Sequence, residues 1–183
     1  MQKETDLSSF NNSWYKNGAS PIANIIWYFI SAAFFKSAFP INRVKVLLLK
    51  MFRAKIGTGV VIKPHVNIKF PWRLNIGNNV WIGEQVWIDN LVDVCIEDNV
   101  CVSQGAMLLC GNHDYKKTSF DLIIGNITLK KGSWIGAKAV VCPGVVVGSH
   151  AVLTVGSIAT KNLNDYTIYQ GNPAQAVKER VIS

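Results

Sequence analysis

His113 is the residue in this chain best placed to do chemistry. It lies in GNHDYKK (111–117), followed by Asp114, Tyr115, Lys116 and Lys117. An imidazole is the side chain whose proton affinity sits nearest neutral pH, so a loop histidine among charged neighbours is a candidate general base. The other two histidines, His65 in IKPH and His150 in VGSH, read as solvent-facing turn residues. The three are 48 and 37 residues apart with no close-spaced pair, which argues against a three-histidine metal site. Cys95, Cys101, Cys110 and Cys142 form no CxxC pair. They read as reduced thiols rather than as a disulfide framework or zinc ligands, with Cys101 and Cys142 as small apolar fillers. No metal is expected.

The elements that must position His113 follow a six-residue beat. Buried-type aliphatics recur as Ile56, Ile62, Ile68, then Ile76, Ile82, Ile88, then Ile96, Val102, Leu108, and finally Leu129, Ile135, Val141, Val147, Leu153, Ala159. Four positions after most of these comes a second small or aliphatic residue, such as Val60, Val80, Ala139 or Ala151. Six is a multiple of the two-residue strand period and does not match the 3.6 of a helix. A beat held this long predicts a solenoid of stacked parallel coils, each burying its neighbour's face. Three hexads make an 18-residue coil, whereas Ile76 and Ile96 are 20 apart, so the early coils carry a two-residue bulge. After Leu108 the next coil is due at 114 but resumes at Leu129. A loop is therefore expected to leave the solenoid over about 111–128, carrying His113 with it; a long loop in a compact fold is commonly functional.

Ahead of the hexads, residues 1–55 read as an apolar and basic helical segment. PIANIIWYFISAAFF (21–35) is too short for the ~20 apolar residues that span a bilayer. NRVKVLLLKMFRAK (42–55) reads as a basic amphipathic helix with Arg43, Lys50 and Arg53 roughly on one face. No acidic residue occurs between Asp6 and Glu84, against ten basic ones, a block that favours anionic partners. No nucleic-acid-binding signature accompanies it. The coils are placed at 56–165 and a C-terminal tail at 166–183. No signal peptide is expected, and packing on the body of the protein or peripheral membrane contact through residues 17–55 is favoured over spanning.

The hexads, the extruded loop with GNHDY, WIGAKAVVCPGVVVGSHAVLTVGSIATKNL and the later YQGNPA resemble the hexapeptide-repeat acyltransferases. From about residue 70 the chain is similar to the maltose and galactoside acetyltransferases. Over most of its length it is similar to the colanic acid biosynthesis acetyltransferases, which also carry a hydrophobic, basic N-terminal segment. The resemblance implies an all-β solenoid, a left-handed parallel β-helix, assembled as a cytoplasmic homotrimer. It also implies direct acetyl transfer from acetyl-CoA to a hydroxyl of a sugar or lipid-linked glycan precursor, with His113 as general base. Asp114 or a backbone carbonyl would fix the imidazole tautomer. By the same resemblance Trp134, Thr160 and Lys161 would meet the cofactor, and Glu84, Gln85, Asp89 and Asn90 the acceptor. Lys178 and Arg180 are further cofactor candidates through their charge, which suits CoA phosphates. Gln85 departs from the family's asparagine. Trp72, Trp81 and Trp87 would be wall residues covered in the trimer. The alternatives are an amino-sugar N-acetyltransferase and a non-catalytic scaffold or membrane-surface module.

Overall fold

The structure is a computed structural model and describes residues 3–183. The hexads form a parallel β-helix. Its coils turn through three faces, here called A, B and C, and each face is a sheet of short parallel strands. Face A pairs Lys55–Ile56, Leu74–Ile76, Val94–Ile96, Ile127–Leu129 and Val146–Val147 in order. The aliphatics of the beat point inward: Ile62, Ile82, Val102, Ile135 and Leu153 stack up face B and are all buried. At 25 cal/mol per Å² of apolar surface removed from water, each buried Ile or Leu contributes about 1.5–3 kcal/mol.

Each coil must bend sharply at its corners, and the bends repeat with the beat. His65, Asn79, Gln85, Asn99, Lys138 and His150 all have φ near +57°, six residues or a multiple of six apart within each run. His65 and His150 are thus turn residues, as their place in the hexad implies; His150 stacks on Tyr166 at 4.8 Å. The glycine that follows many of the aliphatics has a different cause. A Cβ on Gly136 would stand 2.6 Å from the Val155 nitrogen of the next coil, so only glycine lets the coils close up there.

The two coil lengths are visible in the register. Asn75 pairs with Cys95, 20 residues on, while Thr128 pairs with Val146, 18 on. Between them Cys95 pairs with Thr128, and the surplus residues form the excursion that carries His113. That excursion is an antiparallel hairpin, Gly111–His113 against Leu122–Ile124, rather than a plain loop. Residues 166–183 likewise contain a strand pair, Thr167–Gly171 with Ala174–Glu179, which extends face B.

At the other end, helix α1 (Pro21–Ile30) continues as a π-turn, Ser31–Phe35, and is followed by helix α2 (Asn42–Met51). The Ser20 hydroxyl caps α1 and Pro21 occupies its first turn, a standard start signal. Together the helices close the open edge of the first coil. Trp27 Nε1 donates to the Ile68 carbonyl at 3.0 Å, and Asn42 bonds both the Val60 carbonyl and the Ile62 N–H at 2.8 Å. Lys45, fully buried, donates to the Lys63 carbonyl at 2.9 Å and to that of Ile62 at 3.4 Å. Burial pushes the Lys45 ammonium below its ordinary range.

Candidate active site

His113 closes the outgoing strand of the hairpin, and the hairpin tip folds back over it. The imidazole Nδ1 lies 2.8 Å from the Phe120 carbonyl, and the Phe120 ring stacks on it at 4.4 Å, tilted by only 5°. Phe120 adopts φ +51°, a left-handed conformation that is uncommon for a bulky residue and concentrated at functional sites. A carbonyl only accepts, so this contact requires a proton on Nδ1, and in the neutral ring the lone pair is then on Nε2. That is the tautomer a general base needs.

The tip is held by short polar contacts. Asp121 accepts from Lys117 Nζ at 2.8 Å and from the Ser119 hydroxyl at 2.7 Å. The Lys117 hydrogen bond draws the Asp121 carboxyl below its usual range, and the same contact raises Lys117. The Asp114 carboxylate accepts the Lys116 N–H at 3.1 Å and makes no hydrogen bond to the imidazole. Of the two ways to fix the ring, the contact present is the backbone carbonyl.

The N-terminal arm reaches the same place. The Asp6 N–H donates to the Thr118 carbonyl at 2.8 Å, and the Phe10 ring packs 5.6 Å from the His113 ring. Further along, the Tyr15 hydroxyl donates to the Leu91 carbonyl at 2.6 Å, and Trp72 and Arg73 both donate to the Asn17 carbonyl. Trp72 is thus tied under the arm in the turn Pro71–Arg73, whereas Trp81 and Trp87 stand exposed on the wall. Nothing local in the sequence marks Phe10 or Phe120 as neighbours of His113.

Asp89 and Asn90 lie where face C turns into face A, at the foot of the hairpin. Asp89 pairs with Leu109, and its carbonyl accepts the Cys110 N–H. The Asp89 carboxylate is buried and bonds Lys69 at 2.9 Å. Beside it opens a cleft of about 390 Å³ whose walls include Trp87, Phe70, Trp27 and the buried, unpartnered Ser31 hydroxyl. Asn90 is committed elsewhere: its side chain clamps the Phe70 backbone, donating at 2.6 Å and accepting at 2.9 Å. Glu84 and Gln85 stand exposed at the bend between faces B and C, so one chain does not bring them to the hairpin's corner.

The remaining residues also divide. Thr160 and Lys161 follow the face C strand Ile158–Ala159 and share the hairpin's corner, two strands further along that face. Trp134 is exposed on face B, its Nε1 donating to the Ser103 hydroxyl at 2.8 Å. Lys178 is exposed on the last strand, paired with Ile168. Arg180 donates to the Gly132 and His150 carbonyls at 3.1 Å, which ties it to two turns. A larger groove, about 820 Å³ between Lys16–Asn24 and the end of α2, contains no imidazole or carboxylate in its lining.

Comparison with known proteins places this geometry in context. Over 177 residues, 96% of this chain and 97% of the relative, the sequence is 33% identical to WcaF of Escherichia coli (strain K12), by its name a candidate colanic acid biosynthesis acetyltransferase. It is 29% identical over 140 residues to the galactoside O-acetyltransferase of the same organism, covering 72% of this chain and 66% of that one. Among solved structures, a hexapeptide-repeat acetyltransferase of Vibrio cholerae complexed with acetyl coenzyme A superposes with a TM-score of 0.79 at 19% identity, covering 90% of this chain and 92% of that one. Its fold is shared: the solenoid is a left-handed β-helix. No family model matches the sequence.

Proposed function

The chain belongs to the hexapeptide-repeat acetyltransferases, through its near end-to-end match to WcaF, and from that premise we propose that it transfers an acetyl group from acetyl-CoA to a hydroxyl of a sugar or lipid-linked glycan, with His113 as base. The observation that carries this reading is the 2.8 Å contact between His113 Nδ1 and the Phe120 carbonyl. It leaves Nε2 free to accept the proton of an acceptor hydroxyl. The hydroxyl oxygen attacks the thioester carbonyl, a new C–O bond forms, and the C–S bond breaks. The proton held on Nε2 passes to the departing thiolate, so the products are an O-acetyl ester and free CoA. A backbone N–H of the hairpin or a neighbouring coil would meet the oxyanion.

The residues present suit these substrates. The 390 Å³ cleft beside Asp89 joins a carboxylate, a hydroxyl and aromatic walls, the mixture that polyhydroxylated rings require. Lys161 and Lys178 are exposed and make no ion pair among the described residues, free to meet CoA phosphates. Arg180, bonded to two carbonyls, would contribute less. Trp134 on face B and the hairpin at the C–A corner lie on different sides of one chain, which favours a site assembled between copies, as in the proposed homotrimer. A cytoplasmic site of action fits acetyl-CoA as donor.

Release of free thiol from acetyl-CoA across a sugar panel tests the proposal. With an accepted sugar, His113→Ala should reduce turnover by about 10²–10⁴-fold while calorimetry shows CoA binding unchanged. Saturable CoA binding with full turnover in His113→Ala would remove the histidine from the mechanism, and no CoA binding at all would remove the reaction. Hydroxylamine, which cleaves esters and spares amides, separates an O-acetyl product from an N-acetyl one.

A further inference from the structure

A surface helix ordinarily hides its apolar stripe and shows its polar side. The helical cap does the reverse on its outer side. Ile22, Ile25 and Phe29 share one face of α1 at three- and four-residue spacing and are 71%, 59% and 66% exposed. Across the cap, Leu47 and Met51 of α2 are exposed as well. The cap cannot roll to bury them, because its inner side is committed: Trp27, Asn42 and Lys45 hold the edge carbonyls of the first coil. The charged residues around this apolar surface, Lys36, Arg43, Lys50 and Arg53, are exposed and all basic, in a stretch with no acidic residue from Lys16 to Arg73.

We propose that the outer face of the cap docks the protein on an anionic lipid surface, the α1 ridge entering the interface and the bases of α2 meeting lipid phosphates. No helix among the described residues is long and apolar enough to cross a membrane, so the cap lies on the surface. A second copy of this chain meeting it cap to cap is the poorer occupant. A symmetric contact through the cap would set Arg43 and Lys50 against bases of the other copy, with no carboxylate on either side. An anionic bilayer supplies the missing charge. The inference is independent of the acetyl-transfer reading.

Co-sedimentation of the full chain with vesicles of phosphatidylcholine mixed with phosphatidylglycerol, against phosphatidylcholine alone, tests it. Binding to the mixed vesicles is expected, weakening as salt is raised. The double variant R43E/K50E should weaken it by about five-fold or more per altered residue. The double variant I25S/F29S should also weaken it, with thermal unfolding kept near wild type because both side chains are exposed. Failure to bind anionic vesicles would overturn the proposal, as would binding that neither variant changes. If I25S/F29S instead alters the mass of the protein in solution, the face joins copies of this chain and lipid docking is wrong.

Discussion

At the scale of single residues, His113 gets its direction from two phenylalanines that approach it from different parts of the chain. Phe120 supplies the carbonyl and one ring face, and Phe10 supplies a second packing contact from the N-terminal arm. An aromatic contact of this kind is worth about 0.5–1.5 kcal/mol. Phe10→Ala should therefore lower kcat/KM by about 2- to 10-fold with CoA affinity unchanged, measured by steady-state kinetics and calorimetry. Cys110 is a second residue whose state is set by its surroundings. Burial pushes its thiol from 9.0 up to about 12, with Asp89 and Asp93 adding to the rise. In the unfolded chain the thiol ionises near 9.0, so the stability it contributes is fully present below 9.0 and is lost as pH rises from there toward about 12. The stability gap between wild type and Cys110→Ala, read from denaturant melts, should narrow above pH 9.0.

Among the elements, the cap and the hairpin depend on side chains that serve backbone groups elsewhere. Asn42 starts α2 without capping it, because both ends of its amide are engaged by the first coil. Asn42→Ala leaves a carbonyl and an N–H at that edge unmet. Each unsatisfied group costs about 1–3 kcal/mol, and a loss of about 2–6 kcal/mol in unfolding free energy is expected from denaturant titration. The hairpin is anchored more locally, by its short ladder and by the Lys117–Asp121 pair. Its existence was legible from the missing fifteen residues in the beat, but its form was not. GNH and LII are too short to show a strand period, and their pairing depends on the chain returning over the same corner.

For the whole molecule, the outward columns of the three faces differ. Face B shows Val61, Trp81, Cys101 and Trp134 outward, with Val152 at the end of that column already buried, and face C shows Asn67 and then Trp87, Met107, Val140 and Ile158. Face A shows Lys55, Asn75 and Thr128 outward together with Cys95 and Val146. Two apolar walls and one more polar wall suit an assembly in which faces B and C meet neighbouring copies. Sedimentation equilibrium should give three times the 20.2 kDa chain mass. Trp81→Asp, 63% exposed in the single chain, should lower that mass and the acetyl-transfer rate together, although His113 is untouched. A monomeric wild type with full activity would contradict the shared site.

Sequence alone determined the repeating part of this protein. A solenoid pairs each hexad with the equivalent hexad of the next coil, so a residue such as Ile82 declares its burial through its own periodicity. The coil lengths, the place where the chain leaves the helix, and His113 on that excursion follow from counting. Tertiary structure alone decided what surrounds them. Phe10 and His113 are about a hundred residues apart in sequence, and Lys45, charged and in a basic helix, is buried because the first coil offers it carbonyls. Asn90, an acceptor candidate by position, is instead the clamp on Phe70. Such contacts carry no period. They arise where non-repeating segments meet an edge or a corner of the repeat, and only the folded chain brings those together.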